Sequence, residues 1–147
     1  MAEVLFLTAM AIVILLIILV LLVIAAYHKL LKLQQIAMNH QMKLGERIQF
    51  AWNAIVERNK ELESNIVLSK KSSLEEIEAQ YELFLRHNHV VQTVSEKDER
   101  VNEHEIQNLI IKYNQATETY NHSVKKFPLN MIAALFQLRP RHFFDAK

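Results

Sequence analysis

The chain has 147 residues, with 17 Lys and Arg against 16 Asp and Glu, and it contains one glycine, two prolines and no cysteine. A charge so close to neutral gives no electrostatic reason to expect a nucleic-acid partner. The lack of cysteine excludes disulfides, thiolate metal sites and cysteine nucleophiles. Because glycine and proline are so scarce, hairpins and phosphate-binding loops are not expected, and long helices are.

Residues 4–26 form an apolar run without charge, glycine or proline. At about 1.5 Å per residue, a helix of this length spans about 34 Å, enough to cross a hydrocarbon core of about 30 Å. A cleaved signal peptide has a basic region before a shorter apolar run, and residues 1–3 carry no Lys or Arg. The sequence therefore predicts a transmembrane anchor over residues 1–26. All 17 Lys and Arg follow the run, which predicts an outside N-terminus and a cytoplasmic domain over residues 27–147.

Beyond the anchor, apolar residues at steps of three and four predict a long first helix over residues 27–68. Gly45 is its one weak point, because a mid-helix glycine costs about 1 kcal/mol relative to alanine, and it marks a candidate bend. The apolar positions are Leu30, Leu33, Ala37, Leu44, Ile48, Ala51, Ile55, Leu62 and Ile66.

Three shorter helices are predicted to follow. Ser73 and Glu76 have capping-box spacing, which predicts a helix over residues 73–94. A third helix is expected over residues 98–127. Pro128 opens a short fourth over residues 129–138, which Pro140 ends. Short connections favour an all-α domain in which the anchor continues into an antiparallel four-helix bundle.

Both ends of the predicted domain carry motifs that resemble the LemA family. One is the AWNAI segment at residues 51–55, with Arg58, Leu62 and the NIV segment at 65–67. The more specific one is YN at 113–114, YNHSVKKFP at 120–128, IA at 132–133, Phe136 and FF at 143–144. The family usually has proline where this chain has Ser64, and the middle of this chain is shorter. The matching motif positions include Trp52, Asn65, Tyr113, Asn114, Tyr120, Asn121, Phe127 and Pro128.

The resemblance implies a bacterial, membrane-anchored four-helix bundle of poorly defined activity, with MamQ-like magnetosome relatives linked to membrane remodelling. It implies a location in the bacterial inner membrane or a membrane derived from it. It carries over no catalytic residue.

Motifs for enzyme chemistry are not found in the sequence. A di-iron bundle needs Glu-x-x-His pairs, and no Glu in this chain is followed by His at the third position. Glycine-rich phosphate loops, H-E-x-x-H and a nucleophile elbow are likewise missing. We therefore expect no catalytic residue, no metal and no cofactor.

Two surfaces are candidates for interaction. The first predicted helix is about 63 Å long and the second about 33 Å, so the apolar neck beside the bilayer is expected to lack a partner within the chain. We therefore predict an oligomer interface at Leu30, Leu33, Ile36 and Ala37. Candidate contacts with anionic headgroups are Arg139, Arg141, Phe143 and Phe144. Phe127 and Phe136 are interpreted as closing the bundle, and for Phe143 and Phe144 this alternative stays open.

These observations favour a non-enzymatic structural protein that self-assembles at the cytoplasmic face of a membrane and organises or remodels it. Its expected partners are the lipid bilayer and further copies of itself. The alternative is a regulatory adaptor whose bundle binds another membrane protein. Ligand or metal binding in the bundle core is a distant third hypothesis.

Overall fold

A computed structural model describes residues 1–58, 68, 72–92 and 103–145 of the protein. These residues contain four α-helices and no strand, so the all-α prediction is confirmed. The helices are α1 (Ala2–Arg58), α2 (Leu74–Gln92), α3 (Glu103–Lys125) and α4 (Leu129–Leu135). Residues 138–145, called the tail below, are not helical. Residue 68 is also non-helical, while the predicted boundaries at 94 and 98, together with Leu62, Asn65 and Ile66, lie outside the described residues.

The first helix is continuous from the apolar run into the folded domain. It is long and apolar enough to cross a membrane, and its most apolar window has a mean hydropathy of 3.5 with no part buried inside the protein. Gly45 does not interrupt it. The helices α2, α3 and α4 all pack against α1, so α1 serves both as the candidate span and as the centre of the fold.

The second helix begins at the predicted capping box. The Ser73 backbone N–H donates to Glu76 Oε2 at 2.8 Å, and the Glu76 backbone N–H donates to Ser73 Oγ at 3.2 Å. These two bonds satisfy amide groups that have no partner within the first helical turn.

The predicted antiparallel bundle is not confirmed, because α2 runs in the same direction as α1. Residue numbers rise together along the two helices at every contact between them. In order along α1, the contacting pairs are Gln41 with Ser72, Gly45 with Ile77, Gln49 with Gln80, and Trp52 with His87. Hydrophobic spacing predicts which face of a helix is buried, but it carries no information on the direction of that helix relative to its neighbour.

The third helix runs in the opposite direction to α1. Near its start, Arg47 pairs with Glu105 at 2.6 Å. Towards its end, Tyr120 and Val124 pack in one cluster with Leu30. The end of the domain next to the apolar run is therefore built from the first turns of α1 after the run and the last turns of α3.

After Pro128, α4 ends earlier than predicted because the chain reverses at Gln137. The Leu138 N–H donates to the Ala133 carbonyl at 2.8 Å and the Gln137 N–H donates to the Ala134 carbonyl at 3.2 Å, the two bonds of a Schellman motif. Gln137 has a φ of 54°, as the C′ position of that motif requires. This reversal directs the tail back along α3.

The close approach at Gly45 generates a stability prediction. A Cβ atom at Gly45 would lie 3.2 Å from Ile77 Cδ1, so a large side chain there has to displace the Ile77 side chain from its position in the core. We expect Gly45→Leu to lower the free energy of unfolding by about 1–3 kcal/mol, measured by thermal melts followed by circular dichroism in detergent. Glu46→Leu, at the exposed neighbouring position, is the matched control. Equal melting curves for the two variants would contradict the packing described.

Candidate functional site

Two asparagines of α3 hold the tail by pairing with its backbone. The Asn114 side chain donates to the Phe144 carbonyl at 3.1 Å and accepts from the Phe144 N–H at 2.8 Å. Asn121 forms the same pair of bonds with Arg141, both at 2.8 Å. Each side-chain amide therefore pairs with one tail residue much as a neighbouring β-strand would.

The tyrosine before each asparagine binds the tail as well. Tyr113 donates its hydroxyl to the His142 carbonyl at 2.8 Å, and Tyr120 donates to the Arg139 carbonyl at 3.1 Å. The two Tyr–Asn pairs are seven residues apart on α3, which is about 10.5 Å at 1.5 Å per residue. Their targets are three residues apart in the tail, which is about 10 Å for an extended chain. The distance between the two Tyr–Asn pairs along α3 thus matches the distance between their targets along the extended tail.

The tail also contacts α1 and α2. Phe144 is buried with its ring 5.8 Å from that of Tyr81, and the Asp145 N–H donates to Glu78 Oε1 at 2.9 Å. Arg141 Nη2 donates to Gln41 Oε1 at 2.5 Å. In the described part of the chain α2 and α3 do not come into close backbone contact, and the tail contacts both helices.

Two of the four residues predicted to contact membrane headgroups serve the fold instead. Phe144 belongs to the hydrophobic core, and Arg141 is half-buried with its backbone and side chain bonded to α3 and α1. Arg139 and Phe143 are exposed, and for them the contact stays a prediction. Of the two adjacent aromatic residues, Phe144 therefore faces the core and Phe143 faces outward.

The premise of the predicted neck interface is wrong. Leu30 and Ala37 are fully buried within the single chain, and Leu33 packs against the cluster of Leu30, Tyr120, Val124 and Ala133. Among the four predicted residues only Ile36 is exposed. The reason is that α3 and α4 cover the neck, which the comparison of the first two helix lengths did not consider. Whether Ile36 lies in an interface between copies stays a prediction.

The interpretation of Phe127 as a residue that closes the bundle is also wrong, whereas the Phe136 ring packs against that of Tyr27 of α1, with centroids 4.3 Å apart. Phe127 is 73% exposed and Phe136 is 43% exposed. Residues of α4 that the sequence analysis did not single out share this exposure, namely Met131 and Leu135. Their spacing of four residues, continued from Phe127, was the signal that could have identified them.

Burial changes the titration of two tyrosines at the site. It raises the pKa of the Tyr81 phenol, and the nearby Glu103 carboxylate raises this pKa further. Burial also raises the pKa of Tyr120, against an opposing effect of the Arg141 guanidinium. Both phenols are thus protonated at neutral pH, which lets Tyr120 donate its bond to the tail.

No group of three or more His, Cys, Asp or Glu side chains arranged to hold a metal ion occurs among the residues that the structure describes. The polar groups brought together at the tail are side-chain amides, phenols, the Glu78 carboxylate, the Arg141 guanidinium and backbone atoms, and they are hydrogen-bonded to one another. Chemically, this arrangement orders a segment of chain.

The model of the LemA family matches residues 26–147, the whole chain after the apolar run. The chain belongs to the LemA family. No curated protein and no solved structure matches it.

The LemA resemblance noted in the sequence therefore concerns residues with a structural role here. Tyr113, Asn114, Tyr120 and Asn121 bind the tail. The Trp52 ring is buried and lies edge-on to His87, with centroids 5.6 Å apart. The exposed Phe127 and Pro128 form the turn into α4. Gln41 and Glu78, which the sequence analysis did not identify, complete the contacts of the tail.

The asparagine pairing can be tested by an isosteric change. Asn114→Asp removes the donor to the Phe144 carbonyl and sets a carboxylate against that oxygen, which is expected to cost about 1–3 kcal/mol. Amide hydrogen exchange in the peptide covering residues 139–145 should then become about ten-fold faster or more. Gln115→Glu makes the same chemical change at an exposed position of the same helix and should leave exchange in the tail unaltered. Similar exchange in both variants would contradict the proposed role of Asn114.

The two raised tyrosine pKa values predict a loss of stability in alkali. Since folding raises these pKa values above the ordinary value of 10.0, phenolate formation favours the unfolded state. The stabilisation is fully present below about pH 10 and is lost as the pH rises through the folded-state values. Melting temperatures should fall more steeply above this pH in the wild type than in Tyr120→Phe. A parallel decline would show that Tyr120 does not contribute.

Proposed function

We propose that this LemA-family protein is a non-enzymatic, membrane-anchored structural protein. In this proposal it self-assembles at the cytoplasmic face of a bacterial membrane and organises or remodels the bilayer. Its partners are the bilayer and further copies of the same chain.

The observation that carries the proposal is the continuity of α1. One helix, Ala2–Arg58, contains the apolar run and also provides the surface on which α2, α3 and α4 pack. A flexible linker would let a domain rotate freely above the bilayer, whereas a continuous helix fixes the distance and tilt of the domain relative to its span. This is the property expected of a structural component of a membrane.

The polar groups at the tail support a non-enzymatic role. Four side chains of α3 use their hydrogen bonds on the backbone of the tail, namely Tyr113, Asn114, Tyr120 and Asn121, so their chemistry is explained by folding. The cytoplasmic orientation is supported by charge, because Lys29, Lys32 and Lys43 follow the apolar run and no Lys or Arg precedes it.

Self-assembly is supported by the apolar surface that a single chain leaves uncovered. Most residues of the candidate span are exposed, and Ile36, further along the same helix, is 38% exposed. Contacts between copies along this one helix would bury both, with side-by-side packing of Leu, Ile and Val in the membrane.

A regulatory adaptor is the second candidate. The specific observation that favours it is Phe50, which is 58% exposed on α1 in the folded domain, with Arg47 5.1 Å above its ring. Aromatic and Arg side chains are enriched at protein interfaces. Such a pair could bind another membrane protein without any assembly of the chain itself.

The self-assembly proposal predicts a defined homo-oligomer of the full chain in mild detergent, detected by native mass spectrometry. Ile36→Glu should weaken association about ten-fold or more, since 1.4 kcal/mol corresponds to a factor of ten, while the helical circular dichroism stays unchanged. Gln35→Glu places the same charge at an exposed neighbouring position and is the control.

A wild-type monomer at all concentrations would contradict self-assembly and favour the adaptor. An oligomer that survives Ile36→Glu would restrict the interface to the apolar run.

A further inference from the structure

The short helix α4 has two apolar faces, and only one of them is covered. On the inner face, Ala133 is buried with Leu30, Tyr120 and Val124, and Leu129 and Ile132 pack against the same cluster. On the other face, Met131 and Leu135 are 63% and 69% exposed, and Phe127, in the turn before α4, is 73% exposed. These three residues, four apart in sequence, are called the outer stripe below.

The outer stripe lies at the level where α1 leaves the apolar run. Phe136, the next residue after the stripe, has its ring 4.3 Å from that of Tyr27, and Tyr27 directly follows Ala26, the last residue of the run. Leu30, one turn further along α1, is in the cluster that supports the inner face of α4. Any bilayer that the apolar run crosses therefore has its surface beside α4.

The charges at this end of the molecule are all positive. Between Ala26 and Glu46, and again between Glu118 and Asp145, the sequence contains no Asp or Glu. The charged residues in these two segments are Lys29, Lys32, Lys43, Lys125, Lys126, Arg139 and Arg141. The acidic first turn of α2, Glu75 and Glu76, lies beside the part of α1 that begins near Gln41, further from the apolar run.

We propose that the outer stripe is a second membrane contact, through which α4 lies in the headgroup region of an anionic leaflet. The inference rests on the span in the proposed function. A helix with an apolar face and basic neighbours binds at the interface through burial of the apolar side chains and attraction to anionic lipid. Phe127, Met131 and Leu135 supply the burial, and Lys125, Lys126 and Arg139 supply the attraction.

Continuity with the apolar run and the uniform positive charge favour lipid over a protein partner as the occupant. A protein that covered the stripe would have to bind at the level where the bilayer surface meets α1, beside Tyr27 and Leu30. A lipid surface is already at that position once the run is inserted. With two contacts instead of one, the tilt of the domain relative to the membrane surface is restricted.

The absence of cysteine allows a direct test on the full chain. Single cysteines are introduced by Met131→Cys in the stripe, Leu21→Cys in the apolar run and Ile111→Cys at an exposed apolar position of α3 remote from α4. Each is labelled with an environment-sensitive fluorophore. The protein is reconstituted into phosphatidylcholine–phosphatidylglycerol vesicles carrying a nitroxide either at the headgroup or deep in the acyl chain.

The headgroup nitroxide should quench the fluorophore at position 131 several-fold more strongly than the fluorophore at the control position 111. The deep nitroxide should quench the fluorophore at position 21. Replacing Lys125 and Lys126 by Gln, or using pure phosphatidylcholine, should reduce quenching at the stripe.

If Leu21 is quenched and Met131 behaves like Ile111, the second contact is overturned and the span stands. If Met131 reports an apolar environment that neither nitroxide reaches, a protein surface covers the stripe and the lipid assignment is overturned. If Leu21 is not quenched, the span and the second contact fail together.

Discussion

Backbone groups that leave a helix and become buried must find new partners, and in this protein that requirement is met by side chains of α3. The tail forms no helix, so its amides and carbonyls cannot satisfy one another locally. Asn114 and Asn121 provide both a donor and an acceptor to one tail residue each, and Tyr113 and Tyr120 provide further donors. Without these bonds, burial of the tail would leave polar groups unpaired at a cost of about 1–3 kcal/mol each.

Because its backbone is satisfied, the tail can act as a packing element between helices. Phe144 reaches the core beside Tyr81 of α2, and Arg141 reaches Gln41 of α1. Residues from three helices are thus connected through one short segment. The arrangement also explains how the domain is completed although α2 runs parallel to α1, since the tail contacts both α2 and α3.

Much of the fold could be predicted from local signals in the sequence. The capping box at Ser73, the role of Pro128 before α4 and the buried positions Leu44, Ile48 and Ile77 all follow from chemistry within a few residues of each site. The direction of α2 could not be predicted in this way, because helical periodicity is the same in both directions. The coverage of the neck was missed because it depends on where α3 and α4 pack, which the lengths of the first two helices do not determine. The tail gave no periodic signal, although the repeat of Tyr–Asn at a spacing of seven was visible in the sequence.

Seven residues of helix and three residues of extended chain have the same length, and this match restricts changes in the length of the tail. The distance between the two Tyr–Asn pairs along α3 equals the distance between their targets along the tail, because the rise per residue is about 1.5 Å in a helix and about 3.3 Å in an extended chain. A substitution in the tail changes one side chain, whereas a single inserted or deleted residue between Arg139 and Phe144 moves one pair out of register with its target by a full residue. We therefore expect this segment to tolerate substitutions of exposed residues such as Phe143, but to tolerate no insertion or deletion.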